Sequence, residues 1–101
     1  DILTRPFTFD GNQLRINFST SAAGGVRVEI QDKDGKPFPG FAIDDCDVQF
    51  GDQLDRTVSW NSKSDVSQLA GQTVRLRIEL KDADLYAFQF TAKPGLDNLT
   101  N

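Results

Sequence analysis

The amino-acid sequence predicts an all-β domain: a two-sheet antiparallel β-sandwich of seven or eight short strands, with at most one short helical turn. Three observations lead there. Val74, Leu76, Ile78 and Leu80 alternate with Thr73, Arg75, Arg77 and Glu79, the period-two pattern of a half-buried strand. The same alternation recurs at Leu14, Ile16 and Phe18 and at Val26, Val28 and Ile30. Short clusters of Asp, Gly, Asn, Ser and Pro separate these runs, as turn residues do. Jelly-roll and immunoglobulin-like topologies both satisfy the pattern. A chain of 101 residues is one domain, here with a core over 3–91 and a tail over 92–101. It opens on Asp1 without Met, so we expect a piece of a longer protein.

Leu3–Phe9 reads as the first strand. Pro6 lacks an N–H, so the strand belongs at a sheet edge or starts at Pro6. Asp10-Gly11-Asn12 is a turn by composition, and Gln13–Ser19 pairs back as a hairpin. Ser19–Gly25 is small and polar and reads as a loop. Val26–Gln31 is a third strand, followed by a turn at Asp32–Lys36. Phe38, Phe41 and Ile43 form a weaker strand that Pro39-Gly40 interrupts as a bulge or kink. Arg56–Trp60 points Val58 and Trp60 inward. Asp65–Leu69 is expected to make one helical turn, with Ser64 as N-cap and Gly71 as the stop. Thr73–Thr91 reads as a second hairpin, reversing at Lys81-Asp82-Ala83-Asp84. Its inward face would carry Val74, Leu76, Ile78, Leu80, Tyr86, Phe88 and Phe90.

Composition removes several function classes. The net charge is −4, against a nucleic-acid partner, which needs a basic face, and against an anionic membrane surface. No apolar run reaches membrane-spanning length. There is no His, which removes the commonest general base and transition-metal ligand. No nucleophile-elbow, zincin or phosphate-loop pattern occurs. Two carboxylates could suffice for glycoside hydrolysis, but so small a sandwich leaves little room for a deep cleft. We therefore expect no catalysis by this chain alone. The single Cys46 has no internal disulfide partner. Acidic neighbours raise its thiol pKa and make it a poor nucleophile.

The segment Asp44–Asp55 is irregular and holds five Asp and no basic residue in twelve positions. Asp44, Asp45, Asp47 and Asp52 are a candidate calcium site, since a hard cation takes several oxygen ligands from loops. Calcium would be the only cofactor. The alternative is a solvated acidic loop in which an Asp pairs with Arg56 or caps the backbone. Asp32, Asp34 and Gly35 start like a calcium loop, but Gly35 comes too early and Ile43 stands where a Glu belongs, so a hairpin turn is expected there. Trp60 and Tyr86, by parity, belong to the core. Exposed sugar-binding aromatics are expected instead at Phe38 or Phe50, in irregular segments. Sequons occur at Asn17-Phe18-Ser19 and Asn98-Leu99-Thr100, short enough to arise by chance.

An ordered series of short stretches resembles a known module. It runs Gly25–Asp32, Asp34-Gly35, Pro39-Gly40-Phe41, Asp44-Asp45-Cys46, Val58-Ser59-Trp60, Asp65-Val66-Ser67, Leu69-Ala70-Gly71, Val74–Arg77 and Asp82–Phe90. The resemblance covers roughly residues 5–91. The chain resembles β-sandwich modules that end large secreted bacterial proteins, often beside five-bladed propeller domains like those of glycoside hydrolases. The resemblance implies a non-catalytic, carbohydrate-binding-like accessory domain of a secreted or periplasmic glycoside hydrolase. Its partners would be a neighbouring catalytic domain and a polysaccharide. The alternative is a structural domain that packs on and stabilises a catalytic propeller without its own ligand. The resemblance carries over no ligand-binding residues.

Overall fold

A computed structural model describes residues 1–51 and 55–92. It is mostly β, with two single 3-10 turns at Ile43–Asp45 and Ser67–Leu69. Four strands form one antiparallel sheet: β1 (Ile2–Leu3), β2 (Gln13–Asp32), β3 (Arg56–Thr57) and β4 (Val74–Thr91), in the order β1-β4-β2-β3. Among the described residues no helix is long and apolar enough to cross a membrane.

Two long strands dominate. β2 and β4 pair from Gln13↔Thr91 to Asp32↔Val74, so each joins two of the expected strands. The hairpin expected at Thr73–Thr91 is not formed, because Lys81–Asp84 lies inside continuous β4. The loop expected at Ser19–Gly25 likewise lies inside β2. The two coincide: Thr20 pairs with Ala83 and Gly25 with Lys81, so residues 21–24 face Asp82 alone. Asp82 has a φ of 45°, a left-handed conformation that Asp tolerates better than most residues. The turn-type residues therefore mark a bend in a paired ribbon.

The ribbon folds over at that bend. Straight, the 18 residues of β4 would span roughly 60 Å, yet the longest dimension of the molecule is 42 Å. Phe7 ties the two ends together. Its backbone exchanges two hydrogen bonds with Val74, of 2.9 and 2.8 Å. Its ring lies 6.2 Å from Phe88 and 5.9 Å from Phe90. Leu14, Ile16 and Phe18 from one half of β2 and Val26, Val28 and Ile30 from the other enter one core, with Val74, Leu76 and Ile78 of β4. Val58, Trp60, Val66 and Leu69 complete it.

A second irregularity flips side-chain parity. Asn17 pairs with Ala87 and Phe18 with Leu85, so Tyr86 is a bulge residue. Leu85 turns toward the core and Tyr86 turns out, 58% exposed. This corrects the expectation of a buried Tyr86, which assumed unbroken alternation. Its hydroxyl shares a 2.9 Å hydrogen bond with Ser19.

The edge of β2 away from β4 is closed piecemeal. Val26 exchanges backbone hydrogen bonds with Gln49, and Ile30 with Phe38 and Phe41. Between them, Val28 meets side chains: its N–H donates to Cys46 Sγ at 3.3 Å, and its carbonyl accepts from Trp60 Nε1 at 2.8 Å. The strands expected around Phe7 and Trp60 thus carry single bridges there, and further bridges form at Pro37 and Gln49.

Candidate functional site

A cleft of about 370 Å³ opens between two chain segments, Pro39–Phe41 and Trp60–Gln68. Local sequence builds both walls. Phe41 N–H donates to Phe38 O at 3.0 Å across Pro39-Gly40, and Gly40 has a φ of 87°. Pro followed by a positive-φ Gly is a type II turn. It stands where a bulge or kink was expected. On the other wall, Trp60 and Lys63 exchange backbone hydrogen bonds of 2.8 and 3.0 Å around Asn61 and Ser62, both at positive φ. That is the two-residue hairpin of type I′. Ser is a poor occupant of its second position, and Asp47 holds it: Asp47 Oδ2 accepts from Ser59 Oγ at 2.6 Å and from Ser62 N–H at 2.8 Å.

Phe41 and Trp60 form the floor, their rings 5.2 Å apart and near edge-on. Both are buried and show the cleft little more than ring edges. Asn61, Lys63, Asp65 and Gln68 supply polar groups around the mouth. Asp65 Oδ1 accepts from Ser67 N–H at 2.9 Å. The Ser67 side chain first, then its backbone N–H, hold the Asp65 carboxyl below the usual carboxylate value. Asp65 thus does the capping expected of Ser64. The expected helical turn is the 3-10 turn Ser67–Leu69, with Val66 and Leu69 packed in the core. Among the described residues, Asp65 is the sole carboxylate lining the cleft.

The structure spreads the calcium candidates apart in function. Asp44 is exposed, with Oδ1 3.7 Å from Arg27. Asp45 Oδ2 accepts from Ala42 N–H at 3.2 Å. Asp47 serves the hairpin, and the Ser59 and Ser62 hydrogen bonds hold its carboxyl below the usual value. Asp52 lies outside the described residues, as do Leu54, the second sequon and residues 93–101 of the tail. Among the described residues no three His, Cys, Asp or Glu gather as a metal site. At Asp32–Lys36 the expected turn forms, with Asp32 Oδ1 accepting from Asp34 and Lys36 N–H.

Cys46 is buried and free. Burial pushes its thiol up to about 11, with Asp47 adding to the rise and the Val28 N–H opposing it. The acidic neighbour expected to raise it contributes, but desolvation leads. Phe50 is exposed at 63%, beside Thr20, Ser21 and Ala22, with Val48 exposed nearby at 52%. Phe38, the other expected exposed aromatic, packs against the core.

The cleft residues were not singled out in advance. Asn61-Ser62 carries no Gly to announce a tight hairpin, and the clamp on it comes from Asp47, far along the chain. Searches against protein-family models, curated proteins and solved structures found no match for this chain.

Proposed function

We propose that the chain is a non-catalytic carbohydrate-binding accessory domain whose ligand site is the Phe41–Trp60 cleft. The folded β2–β4 ribbon is, in this reading, the two-sheet sandwich, with each half of the ribbon in one layer. One observation carries the function: four residues with polar side chains, Asn61, Lys63, Asp65 and Gln68, line one cleft together with the aromatic residues Phe41 and Trp60. A concave site with a few convergent polar groups is what small-ligand recognition uses. Among the described residues one carboxylate lines the cleft, which supports a non-catalytic role, since glycoside hydrolysis by the common routes uses two. The resemblance to C-terminal modules of secreted bacterial glycoside hydrolases supports a secreted or periplasmic setting and a catalytic neighbour. Melting the chain with a panel of soluble polysaccharides tests the reading. A rise in Tm with at least one, abolished in an Asn61→Ala, Gln68→Ala double variant, supports it. No rise with any member sinks it.

A second reading is a docking domain that stabilises a catalytic neighbour. Exposed Val48 and Phe50 beside Ala22 favour it. That domain shows no polysaccharide shift, and Val48→Ser with Phe50→Ser weakens its association with the neighbour.

A further inference from the structure

Resting on the sugar-binding reading, we infer that the cleft selects neutral sugars and rejects uronic acids, with Asp65 as the residue that determines this specificity. The donor and acceptor set points there. Each sugar hydroxyl both donates and accepts a hydrogen bond. The Asn61 and Gln68 amides offer both roles, the Lys63 ammonium only donates, and ionised Asp65 only accepts. A neutral polyol satisfies all four at once. A ligand carboxylate only accepts, so it brings no further donor to Asp65, whose Oδ1 already takes the Ser67 N–H, and it sets two negative charges in one cleft. Like charges at such range oppose each other most where water is thin.

Lys63 does not tip the balance toward anions. It makes no ion pair within 4.0 Å among the described residues, so its charge is available to a ligand. Asp65 sits two positions away with an equal and opposite charge, and the whole chain carries −4. Long-range attraction of anions is therefore absent. Asp65 also stays ionised, because its Ser67 hydrogen bonds favour the charged form. The cleft volume, about 370 Å³, is at the low end of the roughly 300–1,000 Å³ range of small-ligand sites. That is room for a short stretch of a glycan chain.

The test is an amide chemical-shift titration of the whole chain. Neutral oligosaccharides of glucose, galactose, mannose and arabinose are one arm, and oligogalacturonate is the other. The expected result is shifts at Asn61, Lys63, Asp65 and Gln68 with at least one neutral ligand, and affinity at least tenfold weaker for oligogalacturonate. In Asp65→Asn that gap narrows to within about threefold, with the Tm little changed. Oligogalacturonate binding in this cleft as tightly as the neutral ligands overturns the selectivity while leaving the sugar-binding reading in place. An unchanged gap in Asp65→Asn overturns the assignment to Asp65. No shift in either arm removes the sugar-binding reading, and the selectivity with it.

Discussion

Val28 shows how single side chains complete this structure. Its outward N–H and carbonyl have no strand beside them, and Cys46 and Trp60 take that place. Trp60→Phe keeps an aromatic ring but removes part of the buried indole and leaves the Val28 carbonyl unpaired, so it should destabilise by at least about 1–3 kcal/mol in chemical denaturation. The Cys46 thiol should react with a thiol reagent at neutral pH only as the chain unfolds, since burial holds its pKa at about 11. Ser62 holds a left-handed φ of 67°. Ser62→Gly should therefore stabilise by about 1 kcal/mol, while the Asp47 hydrogen bond to its N–H stays in place. Asp47 and Asp65 have folded pKa values below the ordinary 3.8. Their stabilisation is thus full above that value and is lost as the pH falls through the folded values. In Asp47→Asn with Asp65→Asn, the loss of Tm on acidification from pH 5 to 2 should be shallower. Burial of Trp60 was legible from its parity with Val58. Its hydrogen bond was not, because the acceptor is in another strand. Tyr86 misled because it is itself the bulge residue, outside the alternation, while Phe88 and Phe90 beyond it pair with Ile16 and Leu14 of the core face.

The elements follow from alternation, and their continuity does not. Leu14–Phe18, Val26–Ile30 and Val74–Leu80 were all legible as strands. What joined them was ambiguous, since Asp, Gly, Ser and Ala serve bends, bulges and reversals alike. Ser19–Gly25 read as a loop and Lys81–Asp84 as a reversal, and in the fold they meet as one bend. Gly24 is the tightest point of that bend. A Cβ there would overlap the carbonyl oxygens of Lys81 and Asp82. Backbone on both sides leaves it no way to give, so Gly24→Ala should cost about 2–3 kcal/mol or more. The comparison is Gly40→Ala, where nothing lies within 4 Å of the added methyl. Its cost should be limited to the strain of a positive φ, about 1 kcal/mol. Equal costs at the two positions, measured by urea unfolding, would contradict the folded-ribbon account.

At the scale of the molecule, the fold brings two loop segments together over buried aromatics, with Asn61, Lys63, Asp65 and Gln68 lining the cleft between them. The acidic stretch drew attention in the sequence for its charge. Its Asp47 instead reaches across to brace the hairpin that presents Asn61 and Lys63. Such a role depends on which loops the fold brings together, and composition carries no trace of it. The absence of His and the net charge of −4 narrow the expected chemistry, while the location of the cleft comes only from the fold. The central claim is that this cleft is where the chain meets a glycan. The most direct measurement is amide chemical-shift mapping of the whole chain against the polysaccharide that raises its Tm most. The account predicts saturable shifts centred on Phe41, Asn61, Asp65 and Gln68. Shifts centred instead on Val48 and Phe50, or none at saturating ligand, would contradict it.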